Sequence, residues 1–312
     1  MPSVNTVFGP IHPEQLGVTG IFEHVLWGLP GWINDPLACK NLPYVFSKWH
    51  KELVRYKNIG GRTVLVQTGV GIRHQLELFR VLSRSTGVHI VLSTGFSTST
   101  GEFTNTNNDI DYLTELYVTE LTQGIGGTKV RAGALRVDCG RYGAKDEDIM
   151  LLSAVRSAKK TGCTLMVSGT HAVDELLALN QDGLEPGRVV IGHCDDITCI
   201  KPEQVKELCR QGFVIAFDHI GIEPTWSAMP WAIPDVVRAD MVSALISAGY
   251  INQVLIAAGT VAGQGDKGFG SHLGVSAAGS LQHFLGQLHR LRIKDDQVNT
   301  LLIENPKRVL SF

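Results

Sequence analysis

The chain has 312 residues, of which 44% are hydrophobic and 19% charged, and its formal net charge is −2. This near balance of charge, without a basic stripe, argues against a nucleic-acid-binding protein. No apolar run reaches the roughly 18 residues that a membrane-spanning helix needs. The start, MPSVNTVFGPIHPE, has neither the basic nor the apolar region of a signal peptide. We therefore expect a cytoplasmic protein with no membrane or nucleic-acid partner.

Eight short apolar runs have the near-continuous Val, Ile and Leu content of buried parallel strands. They cover residues 18–24, 63–68, 89–94, 132–138, 164–168, 188–193, 214–218 and 253–258. Apolar residues spaced by three and four, as in amphipathic helices, cover 74–86, 109–121, 146–160, 173–180, 202–211, 235–248 and 277–291. Strand and helix alternate without a linker or a break in composition. This order predicts a single (β/α)8 TIM barrel domain, residues 1–312, rather than an open doubly wound sheet.

The six cysteines form no C-x-x-C pair; they are Cys39, Cys139, Cys163, Cys194, Cys199 and Cys209. Several lie in or beside apolar runs, which favours reduced thiols packed in a core. The alternative is a reactive thiol, for which Cys139 and Cys194 are nearest to strand ends.

Polar residues gather where the predicted strands end, which is where barrels of this kind carry their active sites. They are Glu23, His24, Arg136, Asp138, His171, His193, Asp195, Asp218, His219 and Thr260. A single histidine is more often structural than functional. Repeated placement at the same end of different strands makes His24 and His193 candidates for function.

Seven segments, in chain order, carry a resemblance to a known family. They are TVFGPIHPEQLGVTGIFEH, GGRTVLVQTG, TGVHIVLSTGF, ELTQGIGGTKVRAGALRV, RVVIGHCDD, FVIAFDHIG and IENPKRVLSF. Over essentially the whole chain they resemble the phosphotriesterase-like family of the amidohydrolase superfamily. The resemblance implies a (β/α)8 barrel, a homodimer, and a family that hydrolyses organophosphates, lactones and esters with two bridged divalent metal ions.

The metal ligands that the resemblance implies are mostly replaced. The family has two first-strand histidines, a bridging carboxylated lysine, two further histidines and an aspartate. In chain order these positions fall on Phe22, His24, Arg136, Ser168 or Gly169, His193, and Gly259 or Thr260. Phe22 has no lone pair, and Arg136, whose pKa exceeds about 12, cannot be carboxylated. We therefore expect no bridged metal pair and no cofactor.

A cation at Arg136 could stabilise an oxyanion or hold a carboxylate, as a metal ion does. Asp138, on the same strand face, is its expected salt partner, and the pair could also merely fill the vacated pocket. His24, His193 or His219 could act as general acid or base. Asp218 and His219 match, in residue type and position, a pair that lies at the substrate pocket in the family. Alternatively, this pair could support other residues of the site without contacting the substrate.

The expected substrate is an apolar small molecule, because Trp226 and Trp231 follow the seventh strand. These tryptophans could instead pack against neighbouring helices or a partner chain. Phe22, His171 and Thr260 complete the predicted binding residues.

Three hypotheses follow. The first is an enzyme without a metal, which hydrolyses a lactone or ester or performs an elimination, isomerisation or cyclisation. The second is a hydrolase with one zinc ion on His24, His171 and His193, which would supply a metal-bound hydroxide. The third is a non-catalytic barrel that binds a small molecule; the cost of burying unused polar residues at its mouth counts against it.

Overall fold

The computed structural model describes residues 2–27, 42–70, 75–97, 109–139, 144–169, 184–224, 232–259, 261–263 and 276–312. Its strands are β1 (Val4–Thr6), β2 (Gly9–Ile11), β3 (Val18–Trp27), β4 (Gly61–Val66), β5 (His89–Thr94), β6 (Ala134–Asp138), β7 (Leu165–Ser168), β8 (Val189–Ile191), β9 (Val214–Phe217), β10 (Val254–Ile256) and β11 (Val261–Gly263). The strands β1 and β2 form a short antiparallel hairpin before the barrel.

The strands from β3 to β11 form one parallel sheet that closes on itself. Each strand from β3 to β9 pairs with the next, and β10 pairs with β9. The segment β11 pairs with β3, with Val261 opposite His24. The segments β10 and β11 thus share the eighth strand position, and the strand is interrupted after Ile256. The predicted barrel is confirmed.

The helices cover the outside of the sheet. They are α1 (Leu42–Asn58), α2 (Leu76–Thr86), α3 (Ile110–Thr122), α4 (Ala144–Thr161), α5 (Pro202–Arg210), α6 (Asp235–Ser247), α7 (Ala277–Arg290), α8 (Asp295–Asn299) and α9 (Asn305–Leu310). The helix α2 shows why they form: it buries Phe79 and Leu82 and ends at Gly87, whose φ of 71° puts it in the left-handed region that favours glycine. None of the helices in the described ranges is long and apolar enough to cross a membrane.

The sheet separates two hydrophobic cores. The larger core lies between strands and helices, and the smaller one, with Leu65, Met166 and Leu255, fills the barrel. On β6, Ala134 belongs to the inner core and Leu135 to the outer core. Since side chains alternate along a strand, Arg136 projects into the barrel above Ala134.

The predicted elements within the described ranges are found with ends that differ by up to three residues, and β5 has the predicted bounds. The predicted helix 173–180 lies outside the described residues. The helix α1 was not predicted, although it buries Val45, Trp49, Leu53 and Tyr56 at helical spacing. The β1–β2 hairpin was not predicted either, because its three-residue strands are too short for a periodic signal.

Candidate active site

Arg136 is fixed inside the barrel, with 6% of the residue exposed. Its Nη1 donates to the backbone carbonyl of Gln67 at 2.6 Å, and its Nη2 donates to Asp138 Oδ2 at 3.4 Å. The predicted pairing of Arg136 with Asp138 is therefore present. Because both contacts come from the barrel itself, the guanidinium is a positive charge with a defined position.

Asp138 is held as an anion beside this cation. Its carboxylate accepts hydrogen bonds from Ser97 Oγ at 2.6 Å and from Ser168 Oγ at 3.2 Å. Burial alone would raise the pKa of Asp138, but Arg136, His193 and the two serine hydroxyls outweigh it and lower that pKa. The Ser168 contact also shows that Ser168, rather than Gly169, points into the barrel at the end of β7.

His193 follows β8 in a left-handed backbone conformation, with φ of 56°. Glycine occupies comparable positions after β5 and β7, where Gly95 and Gly169 have φ of 103° and 113°. A non-glycine residue in this region carries a conformational cost. Asp218 offsets it, since its Oδ1 accepts the backbone N–H of His193 at 3.0 Å.

The same carboxylate contacts the ring of His193, with Nδ1 at 3.1 Å from both Oδ1 and Oδ2 of Asp218. Burial would lower the pKa of His193. The negative charge of Asp218, and to a smaller extent those of Asp138 and Asp195, outweighs burial and raises that pKa to about 9. His193 is therefore an imidazolium at neutral pH. These contacts engage Nδ1 and not Nε2.

Asp218 and His219, predicted as a pair, take different partners. His219 binds Asp195, which accepts its Nδ1 at 2.9 Å and its backbone N–H at 3.0 Å, whereas Asp218 Oδ1 lies 3.6 Å from His219 Nδ1. The rings of His193 and His219 stack with centroids 4.6 Å apart. The two histidines and two aspartates thus form a crossed arrangement between the ends of β8 and β9.

A buried arginine that sequence reasoning missed supports this arrangement. Arg238 of α6 is fully buried; its Nε donates to Asp195 Oδ2 at 2.8 Å and its Nη1 to Asp235 Oδ1 at 2.7 Å. Burial would raise the pKa of Asp195, but His219 and Arg238 hold it well below its usual range. The sequence showed only that Asp235 and Arg238 lie three residues apart on the predicted helix 235–248, a spacing that lets side chains meet on a helix.

Phe22 belongs to the inner core, and His24, two residues further along, faces the same side of β3. The Nδ1 atom of His24 is buried and has no hydrogen-bond partner among the described residues. Burial, followed by Arg136, His193 and His219, lowers the pKa of His24 well below its usual value, so its ring is neutral. Phe22 packs against Gly192: a Cβ on Gly192 would lie 3.0 Å from Phe22 Cε1 and from Asp218 Oδ2.

Four predicted binding residues, His171, Trp226, Trp231 and Thr260, lie outside the described residues, and their roles stay predictions.

Of the six cysteines, Cys39 also lies outside the described residues. Cys139 and Cys194 are buried, as the packed-thiol interpretation expects. Burial, followed by Asp218, raises the pKa of Cys194 well above its usual value, which disfavours the reactive thiolate.

The described residues inside the barrel do not fit a bridged metal pair. The guanidinium of Arg136 occupies the position of the bridging ligand and is bonded to Gln67 and Asp138. Phe22 offers no ligand atom, and Ser168 is bound to Asp138. A guanidinium and an imidazolium at one site repel divalent cations.

One group in the described part of the chain could hold a single ion by distance alone. Ligand atoms of His193, Asp218 and His219 lie within 4.8 Å of one another. The Nδ1 atoms of both rings are bound to carboxylates, which is the orientation of histidines that bind metal through Nε2.

Comparisons with known proteins agree with this architecture. The Phosphotriesterase family model matches residues 2–310. The N-acetyltaurine hydrolase of Xenopus tropicalis is 25% identical, over 99% of this chain and 98% of that protein. A phosphotriesterase homology protein of Mycobacterium tuberculosis is 24% identical over the same shares.

Among solved structures, a mutant of a Deinococcus radiodurans PTE-like lactonase matches with a TM-score of 0.85 and 25% identity. The match covers 98% of this chain and 99% of the lactonase. The relatives that carry an enzyme name are hydrolases, and the family model spans nearly every residue. This chain is an enzyme of the phosphotriesterase family.

Proposed function

We propose that this chain is a small-molecule hydrolase that cleaves a lactone or ester without the bridged metal pair. The observation that carries the proposal is the guanidinium of Arg136, buried in the barrel and held on Gln67 and Asp138. A preorganised cation in a water-excluded site stabilises the charge that develops on a carbonyl oxygen. It can thus take over the electrostatic part of the work that a metal ion does.

The names of the relatives support acyl hydrolysis. One is named for an N-acetyl compound and another as a lactonase. Hydrolysis of an amide and of a lactone share one demand, because attack on the carbonyl carbon leaves a negative oxygen. We assign that oxygen to Arg136.

The two histidines divide the proton transfers. Neutral His24 accepts a proton from the attacking water, while charged His193 donates one, through Nε2, to the leaving oxygen. The acyl–oxygen bond of the ester breaks, and an acid and an alcohol result. Groups whose environments move their pKa values in opposite directions are suited to such roles: that of His24 is lowered and that of His193 raised. Asp218 and Asp138 keep His193 charged, and His219 supports it by stacking.

The same groups could catalyse an elimination, isomerisation or cyclisation, since each needs a cation with an acid and a base. Turnover in water labelled with oxygen-18 separates these reactions from hydrolysis. Only hydrolysis places the label in the acid product.

The test uses the purified full chain, 4-nitrophenyl acetate and dihydrocoumarin as probes, and elemental analysis for zinc, manganese, iron, cobalt and nickel. We expect less than about a tenth of an ion per chain and activity that survives chelators. Arg136→Ala should lower kcat/KM by about 10²–10³-fold, and added guanidinium should restore part of it. Arg156→Ala, at an exposed Arg156–Asp111 pair, is the matched control.

Full activity in Arg136→Ala would contradict the role of the arginine. Stoichiometric metal, with activity lost on chelation, would contradict the metal-free mechanism. That second result would favour a hydrolase with one metal ion. The candidate ligands for that ion are His193, Asp218 and His219. Such an ion would supply an activated water.

Two further predictions go with this function. The protein is a homodimer, which light scattering of the purified chain tests. It acts in the cytoplasm, which fractionation of the source cells tests.

A further inference from the structure

Gln67 lies beside His24 on the inner face of the barrel. Its backbone N–H donates to the carbonyl of Glu23 at 2.8 Å, and Glu23 pairs with Val66 in the β3–β4 register. His24 is therefore the cross-strand neighbour of Gln67. Val66 belongs to the outer core, so the next residue, Gln67, projects inward, as His24 does.

The amide of Gln67 has a defined orientation and an unused acceptor. Its Nε2 donates to the carbonyl of Ile21 at 3.1 Å. A carbonyl only accepts, which fixes the nitrogen on that side. The oxygen Oε1 is buried and accepts no hydrogen bond from any residue in the described ranges. Gln67 itself is fully buried.

Two buried polar atoms on neighbouring strands thus have no partner within the described chain: Gln67 Oε1 and His24 Nδ1. Each would cost stability if left unsatisfied. We place the ring proton of His24 on Nε2, so that Nδ1 is an acceptor, as Gln67 Oε1 is. One molecule with two donor hydrogens satisfies both, and water is the smallest such molecule. Arg136, which binds the carbonyl of Gln67, lies next to them.

We infer that Gln67 is a positioning residue for the hydrolytic water, which donates one hydrogen to Gln67 Oε1 and the other to His24 Nδ1. The inference rests on the proposed function. In the reaction, the water oxygen bonds to the carbonyl carbon and the hydrogen on His24 Nδ1 becomes its proton. The carbonyl electrons move to the oxygen beside Arg136 and return when the leaving oxygen departs with the proton of His193. The proton on His24 then passes to solvent, and His193 regains one.

The first test is a high-resolution crystal structure of the metal-free full chain. We expect an ordered water within hydrogen-bond distance of both Gln67 Oε1 and His24 Nδ1. A direct protein partner for Oε1, or a site without water, would overturn the inference. This test does not depend on catalysis, and it applies even where a variant fails to fold.

The second test is the variant Gln67→Met, which keeps the side-chain length and removes the acceptor. A misplaced nucleophile should lower kcat by about 10²-fold and leave KM within about twofold. Hydroxylamine, a stronger nucleophile than water, should restore part of the loss. Asn305→Leu is the matched control, because it removes a buried amide that binds Ile251 and Val254 away from the site. Unchanged kcat in folded Gln67→Met contradicts the inference.

The outcomes separate this inference from the proposed function. If the water is found but the active enzyme holds stoichiometric metal, the metal-free mechanism fails and the water site stands. If chelators and Arg136→Ala behave as expected but Gln67→Met keeps its kcat, only the role of Gln67 fails.

Discussion

The carboxylate of Asp218 holds His193 at two points, the backbone N–H at 3.0 Å and the ring Nδ1 at 3.1 Å. One side chain thereby supports the left-handed backbone of His193 and keeps its ring charged. The geometry of the proposed acid and the largest part of its charge stabilisation therefore depend on one carboxylate. A change at Asp218 or at its support should therefore alter both.

Asp218→Asn keeps an acceptor for the backbone N–H of His193 and removes the negative charge. The pKa of His193 should then fall from about 9 toward its usual value near 6.5. The high-pH limb of the kcat/KM profile on dihydrocoumarin should move down with it, and the rate at pH 8 should fall by about 10-fold or more. A high-pH limb that stays near 9 would show that another group provides the acid.

The His193–Asp218 pair should also make stability depend on pH. The folded state holds the proton more tightly than the unfolded state. The stabilisation is therefore complete below pH about 6.5 and is lost as pH rises through about 9. The free energy of unfolding of the wild type minus that of His193→Gln should fall across this window by on the order of 1–2 kcal/mol. Urea titrations at several pH values measure it, and a pH-independent difference contradicts the assignment.

Gly192→Ala tests the packing behind Asp218. The added Cβ would lie 3.0 Å from both Asp218 Oδ2 and Phe22 Cε1, so these buried groups must shift. We expect destabilisation of about 1–3 kcal/mol and a high-pH limb below 9. Gly286→Ala is the control, since a Cβ there meets open space in α7. It should stabilise the helix by about 0.5–1 kcal/mol and leave the profile unchanged.

Arg136 and Asp138 should be coupled in stability. Arg136→Met leaves a buried carboxylate without its cation and should cost about 3–5 kcal/mol, and Asp138→Asn should also destabilise. The double variant should cost less than the sum, by about 0.5–3 kcal/mol. Chemical denaturation of the four proteins completes the cycle. Additive effects would mean that the 3.4 Å contact carries no net interaction.

Restoring the family's ligand types should restore metal binding. The triple variant Phe22→His, Arg136→Lys, Ser168→His supplies two imidazoles and an amine that can be carboxylated. We expect it to retain zinc after dialysis, whereas the wild type and Arg136→Lys alone should not. Two ions per chain in the wild type would show that the assignment of ligand positions is wrong.

Sequence pattern predicted much of the site because strand period and strand ends are local properties. Alternation along β6 places Arg136 and Asp138 on one inner face, and their pairing follows from that face. The replacement of ligand types at Phe22 and Arg136 follows from the resemblance to the family, which supplies the ligand positions.

The crossed pairing of histidines and aspartates was not predictable in this way. Asp218 is adjacent in sequence to His219, yet its carboxylate serves His193, 25 residues earlier. In the same way, Asp195, which follows β8, binds the ring of His219, which follows β9. Asp218 and His219 both follow the last residue of β9, where strand alternation no longer decides which neighbour a side chain meets, and the sheet brings the end of β8 beside them. Arg238 was missed because a buried arginine on a helix has no periodic signature.

The sequence alone determined the barrel and its inner faces, because these depend on residue type and on spacing along the chain; the replacement of metal-ligand types is what the family resemblance implies. The tertiary structure decided which carboxylate binds which histidine, and therefore that His24 is neutral and His193 charged. Those charges depend on burial and on neighbours a few ångströms away, which the closed sheet brings from different strands.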